Sequence, residues 1–356
     1  MDVLFLGAGR PAKGEKPAAL KKVALNTTAM DWQLRSLGSF KEQCTLHYLG
    51  GYHVEDVFRR YPELNFTIVA DWEQRNVVHT LFKAPLAGSA ALITYSDTVF
   101  REDVINTLVA TSADVSFGID SGWRSRYEHR TDQDIQIAET IDLANFDPQL
   151  AHKAEFTGLI YLSQRVAKTI VGKKESDVGS NLIDFLYYLD KEGFTLEPID
   201  VRNQWAEFNE SADIARFILG TKAETLARLE PHVKLSTIGE QVSFTTTAYA
   251  SDRETELRKI AKSFPDLRVI VRSSSKAEDN WRESNAGGFR SILNVDGGSK
   301  KELHDAIQSV INSYGEDVSD EDQILVQKQI NEVKLSGVVF TCGLETGAPY
   351  YCFNFD

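Results

Sequence analysis

The sequence predicts an α/β fold: a mostly parallel sheet with helices on both faces, followed by a partial α+β domain. Three observations carry this. Short apolar runs alternate with amphipathic stretches through the first part of the chain, each apolar run closes on Gly or Asp, and the texture changes near Gly220. Alternation of this kind favours parallel strands joined by crossover helices.

Taken in order, VLFLGAG opens the chain as a buried strand ending in glycine. Thr28 to Leu37 has apolar residues at helical spacing, with Asp31 just inside its start as a helix-start residue. TLHYLGG, NFTIVAD, ALITYSD and ADVSFGID follow as strands, and VEDVFRRY, NVVHTLFKA and REDVINTLVA as the helices between them. TKAETLARLE reads as a charged helix, PHVKLSTIGEQ as a loop and VSFTTTAYAS as a β-branched strand. Then come a helix (DRETELRKIAKSF), a strand (LRVIVRSSS), a Ser/Gly-rich loop, a strand (FRSILNV) and a helix (KKELHDAIQSVINSYG). Three strand-like runs, DQILVQKQI, KLSGVVFT and PYYCFNFD, close the chain. The expected organisation is a first domain over 1–222, a linker over 223–240 and a second domain over 241–356. That second domain stops on a strand-like run and reads as the front part of a longer one.

Composition excludes several classes. With 42% hydrophobic and 26% charged residues the chain is that of a globular protein. It lacks the run of about 18 apolar residues that a membrane helix needs, and its first strand carries Asp2 ahead and basic residues behind, the reverse of a signal peptide. A net charge of −13 repels nucleic acid and anionic membranes. Cys44, Cys342 and Cys352 have no metal-like spacing and fit a reducing, cytoplasmic compartment. The sign reverses only near the start, where Arg10, Lys13, Lys16, Lys21 and Lys22 face Asp2 and Glu15; a small anionic ligand is the expected partner.

The segment FLGAGRPAKGEKPAAL joins a strand end to glycines and cations. Gly7 and Gly9 permit a tight turn that offers N–H groups to phosphate oxygens, and Arg10, Lys13 and Lys16 supply positive charge for a leaving pyrophosphate. An ordinary strand-to-helix turn with solvated lysines reads the same way. A dinucleotide site would need a third glycine opening a helix directly, where Pro11 and a basic loop stand instead. Asp97 closes the run ALITYSD; at a strand's carboxyl end it can hold Mg2+ beside a nucleotide, or it can cap the helix starting near Arg101.

The ordered set GAGRP…KPAAL, a strand ending in Ser-Asp, FTGLIYLS and WAEFN resembles the GT-A-like nucleotidyltransferases, nearest the phosphocholine-type cytidylyltransferases, over about residues 1 to 222. The resemblance implies that Gly7, Ala8, Gly9 and Arg10 cradle the nucleotide and that Asp97, Glu207 and Asn209 hold Mg2+. It also places Asn76 and Thr80 near the base. Two departures bear on activity: the family's lysine before the leucine is absent, with Lys16 a neighbouring substitute, and Asn209 stands where the family has an aspartate.

The second motif is VRSSSKAEDNWRESNAGGF, Val271 to Phe289. A guanidinium directly after an apolar strand, a run of hydroxyls and a glycine pair suit a polyphosphate. This run resembles the ATP-binding, ATP-grasp domain of phosphoenolpyruvate synthase and pyruvate phosphate dikinase. The resemblance implies phosphate contacts from Arg272 and Ser273, a phosphate-covering loop from Ser284 to Gly288 including Gly287 and Gly288, and adenine contacts at Gln327 and Lys328. Lys234 is a loose substitute for that family's first lysine. It further implies ATP as substrate and a phosphohistidine domain beyond residue 356. Heads and ATP-grasp segments joined this way resemble the L-glutamine kinases of capsular phosphoramidate biosynthesis, which convert ATP to AMP and phosphate. Two functions follow as expectations: an ATP-dependent phosphotransferase whose head binds nucleotide or docks the enzyme, or an active Mg2+-dependent cytidylyltransferase acting on a small phosphorylated acceptor. The seven histidines have no paired spacing for metal.

Overall fold

The computed structural model describes residues 1–356 except 12–14, 25–26, 87, 125–137, 147–152, 203, 208–212, 214–216, 219, 231–232, 276–288, 316–321 and 344–347. The chain divides into two compact units, Met1–Ile218 and Leu219–Asp356.

The first unit is an α/β fold with a mostly parallel central sheet. Its strands are β1 (Asp2–Gly7), β2 (Lys22–Ala24), β3 (Thr27–Thr28), β4 (Thr45–Gly50), β5 (Asn65–Ile68), β6 (Ala91–Tyr95), β7 (Thr98–Phe100), β8 (Val115–Asp120), β9 (Thr140–Asp142), β10 (Lys153–Leu162), β11 (Leu196–Asp200) and β12 (Trp205–Glu207). Its helices are α1 (Ala29–Ser36), α2 (Val54–Arg60), α3 (Val77–Phe82), α4 (Glu102–Val109), α5 (Gln164–Ile170) and α6 (Leu182–Lys191). The main sheet runs β11-β8-β10-β6-β1-β4-β5, with β9 added on β10. β1, β4, β5 and β6 pair in parallel, as do β8 and β11, while β10 runs against both its neighbours.

Period-two alternation divides the apolar residues between two faces. Leu4 and Leu6 of β1 join Val78 and Leu81 of α3, Val166 of α5 and Phe185 of α6. Val3 and Phe5 join Met30 and Leu34 of α1, Val57 of α2 and Val104 of α4. Helices therefore cover both faces, and every parallel strand delivers its carboxyl end to one edge. A separate ladder, β7 with β12, lies off the main sheet and sets Glu207 across from Thr98.

The second unit holds α7 (Lys222–Leu229), β13 (Gln241–Thr245), α8 (Thr246–Ser251), α9 (Arg253–Ser263), β14 (Arg268–Ser274), β15 (Ser291–Asp296), α10 (Lys300–Ser313), β16 (Gln323–Lys328), β17 (Gly337–Phe340) and β18 (Cys352–Phe355). An antiparallel sheet ordered β13-β16-β14-β15 packs one face on α9 and α10 through Phe244, Val269, Val271, Ile324 and Val326. β17 and β18 form a separate hairpin.

Two elements differ from the expectation. VSFTTTAYAS is a strand only to Thr245, whose hydroxyl accepts from the Ala248 amide and starts α8; a threonine serves a strand and a helix cap equally well. The stretch 223–240, expected as a linker, begins in α7. That helix is tied to the second unit: Ala223 N–H donates to Ser274 Oγ at 2.8 Å and Gln241 Nε2 to Ala223 O at 2.8 Å. A Thr221–Glu224 capping box fixes its start.

Candidate functional site

At the carboxyl edge of the first unit's sheet, β1 ends in Gly7, and Ala8 is buried while Gly9 and Arg10 are exposed. A Cβ on Gly7 would overlap the Tyr48 hydroxyl and crowd Ser96 Oγ, so packing requires glycine there. A Cβ on Gly9 would meet nothing within 4 Å. The Arg10 guanidinium lies over the Tyr52 ring, 5.5 Å from its centroid, and Tyr52 N–H donates to Ala8 O at 2.9 Å.

β6 ends at Tyr95, and the chain turns through Ser96 and Asp97 into β7. Three bonds fix this turn. Ser96 N–H donates to Leu6 O at 3.1 Å, and Gln33 Nε2 donates to Tyr95 O at 2.6 Å and to Thr98 O. Tyr48 binds both Ser96 and Gly7 O, joining the turn to the glycine loop. The helix α4 begins after Arg101, so Asp97 is not its cap. Burial, and then the negative charge of Glu207, pushes the Asp97 carboxyl up to about 7; the charge of Lys21 acts in the opposite direction. The β7–β12 ladder, which sets Glu207 across from Thr98, thus lets the Glu207 charge bear on Asp97.

The rest of the edge supports this pair. Trp205 Nε1 donates to buried Asp120 Oδ2 at 2.9 Å, anchoring β12 to β8. Tyr95 Oη donates to Glu139 at 3.0 Å, and Gly158, at φ +77°, leaves room for the Tyr95 ring where a Cβ would overlap it. The donor set of Asp97 and Glu207, oxygen only, suits a hard divalent cation. Among the described residues no three His, Cys, Asp or Glu side chains are grouped to hold a metal ion. A cation here would share its coordination with nucleotide phosphates and water, as Mg2+ ordinarily does.

The structure brings together Gly7, Ala8, Gly9, Arg10, Asp97 and Glu207 at one edge. Lys16 is exposed; the lysine whose charge bears on Asp97 is Lys21, which the sequence hid in a Lys-Lys pair resembling a solvated surface. Asn76 caps α3, its Oδ1 accepting from His79 N–H at 3.0 Å, and Thr80 is buried behind it. His79 is also buried, with Glu175 at 2.7 Å and Asp71 at 3.0 Å from its two ring nitrogens. Asn209, Gly287 and Gly288, with the loop from Ser284, lie outside the described residues.

In the second unit Arg272 and Gln327 share the sheet face opposite α9 and α10, with Arg272 Nη1 3.5 Å from Gln327 Oε1. Arg272 Nε is buried with no hydrogen-bond partner among the described residues. α7 covers the Ser274 end of this face. Ser273 points to the helix-covered side and is 1% exposed, so it does not share the Arg272 face. Lys328 is exposed at the end of β16, and Lys234 is exposed in an irregular segment.

Comparison with known proteins gives one family model whose match falls within the second unit. The family described as pyruvate phosphate dikinase, AMP/ATP-binding domain, matches residues 220–353. A CTP:phosphoglutamine cytidylyltransferase of Campylobacter jejuni is 21% identical over 250 residues, covering 60% of this chain and 98% of that protein. Among solved structures, the inositol-1-phosphate CTP transferase of T. maritima aligns with TM-score 0.44 and 16% identity, covering 65% of this chain and 97% of that one. A glucose-1-phosphate thymidylyltransferase from Bacillus anthracis, described as putative, aligns with TM-score 0.43 and 14% identity, covering 63% and 94%. No helix among the described residues is long and apolar enough to cross a membrane.

Proposed function

We propose that the first unit is a Mg2+-dependent nucleotidyltransferase site that takes CTP and a small phosphorylated acceptor. The observation that carries this is the β7–β12 ladder, which sets Glu207 across from Thr98, the residue after Asp97. The charges of Glu207 and Lys21 thus both bear on Asp97, at the edge where the Gly7–Arg10 loop begins. Groups that repel each other in the folded protein are relieved when a cation arrives with its nucleotide. In this reading an acceptor phosphate oxygen attacks the α-phosphorus; a new P–O bond forms as the bond to the β-phosphate breaks, and pyrophosphate leaves. Gly9, Arg10, Lys16 and Lys21 receive the charge that moves onto it. Asp97 and Glu207 hold Mg2+, which when bound supplies neutralising charge. The base lies toward Asn76 and Thr80. The name of the Campylobacter relative makes phosphoglutamine the first acceptor to test. With CTP, MgCl2 and phosphoglutamine the protein should release pyrophosphate. Asp97→Ala should abolish release, and Lys21→Met should lower it by about 100-fold, the scale of one lost charge-stabilising group. Wild-type protein inert with every nucleoside triphosphate and phosphorylated amine tried would refute the transferase reading.

A second reading concerns the second unit and is supported by the Arg272–Gln327 pairing together with the family match over 220–353. It binds ATP and forms part of a glutamine kinase that yields AMP and phosphate with a phosphohistidine domain. The phosphorylated amide made there is the acceptor that the first unit would use, so both readings fit one cytoplasmic protein with small-molecule partners. Accumulation of ADP in place of AMP with ATP and glutamine would contradict the kinase reading.

A further inference from the structure

We infer that Gln33 is a positioning residue that sets Asp97 for cation binding. This rests on the transferase reading of the first unit. Gln33 sits inside α1, whose start is fixed by the Thr28–Asp31 capping box, and is 3% exposed. Its amide donates both hydrogens, one to Tyr95 O and one to Thr98 O. Those two carbonyls bracket Ser96 and Asp97. The turn is therefore held at both ends from one helix side chain, and in its middle by the Ser96–Leu6 backbone bond.

The chemistry of the position argues for a task beyond filling space. Gln33 Oε1 is buried with no hydrogen-bond partner among the described residues, and Gln33 lines a cavity otherwise formed mostly by apolar side chains such as Val3, Phe5 and Leu159. A fold needing only volume there would do better with leucine or methionine. What the amide provides is geometry: it fixes the backbone on both sides of Asp97, next to the ladder that carries Glu207. Without the clamp the turn can relax and carry Asp97 away from Glu207, spoiling the pair for a cation while leaving the glycine loop in place.

The test is calorimetric titration of CTP at increasing MgCl2, reading the MgCl2 concentration at half-maximal nucleotide binding, together with thermal melting. Gln33→Met keeps the volume and removes the amide. It should raise that concentration by about tenfold or more, the usual scale for losing a group that orients a metal ligand, while CTP affinity at saturating MgCl2 and the melting temperature stay near wild type. Gln33→Asn, whose shorter amide reaches one carbonyl, should fall between. A folded Gln33→Met or Gln33→Asn with an unchanged MgCl2 midpoint overturns the assignment. Unfolding of both variants would make the amide structural and overturn it as well. Asp97→Asn separates the two levels of the argument. A wild type without MgCl2 dependence defeats the transferase reading itself, whereas dependence that Asp97→Asn abolishes and Gln33→Met leaves intact defeats only the role of Gln33.

Discussion

The two units place uncompensated polar groups on their sheets in opposite ways. In the first, the negative charge of Glu207 bears on Asp97 beyond the end of β6, and bonds from α1, β1 and β8 hold the turn and the strand that carry the two residues. In the second, a single guanidinium lies on a sheet face beside a neutral glutamine, with one buried nitrogen left without a hydrogen bond among the described residues. The first arrangement stores repulsion that a cation relieves; the second leaves a positive charge for an anion. On the proposed readings, a nucleotide with Mg2+ would complement the first and the phosphates of ATP the second. The difference teaches that the sign of the charge, more than the glycine content of a nearby loop, tells which ligand charge would complement each place.

That contrast can be broken by experiment. Because burial, and then the charge of Glu207, disfavours the ionised Asp97 carboxyl, Asp97→Asn should stabilise the first unit in metal-free buffer with a defined pH dependence. A carboxyl raised from 3.8 to about 7 on folding makes the native state weaker as pH rises between those values. The gain from Asp97→Asn should therefore be absent near pH 4, grow through pH 7 and level off above it. Its plateau should be about 1–3 kcal/mol, read as a rise in melting temperature at pH 8. A pH-independent difference would show that the pair is not strained.

A comparison within the glycine loop sharpens the point. Gly7→Ala should cost about 1–3 kcal/mol by overpacking against Tyr48. Gly9→Ala should leave stability within about 0.5 kcal/mol while weakening CTP binding, since the protein itself does not crowd that position. Equal losses of stability at both sites would remove the distinction between a packing glycine and a ligand glycine. A further effect concerns the start of the second unit. Thr221→Ala removes the α7 cap and should lower the melting of the second unit by about 1 kcal/mol without moving the first. A shift in the first unit's transition would place α7 elsewhere.

Much of the architecture was legible in the sequence because period-two apolar runs alternate with helical ones, and Asp97 was legible because it closes such a run. What escaped is instructive. Lys21 sits in a Lys-Lys pair, and nothing local shows that its charge bears on Asp97. Gln33 looks like any helix-interior polar residue; only the fold reveals that its neighbours are two carbonyls more than sixty positions downstream. FTGLIYLS entered only as part of an ordered motif set; that it lies in β10, which runs against its neighbours, escaped because direction is set by chain crossings and not by composition. Ser273 was grouped with Arg272 by adjacency in sequence, yet alternation along β14 sends adjacent side chains to opposite faces.

The short ladder of β7 with β12 has a consequence for how this protein can vary through time. Three cross-strand pairs set Glu207 opposite Thr98. Losing or gaining one codon within either strand would slip the ladder by a residue and turn Glu207 to the opposite side. Most single replacements in these strands would leave that geometry in place. Related chains that keep the chemistry should thus conserve the lengths of residues 98–100 and 205–207 more strictly than the identities of the residues within them.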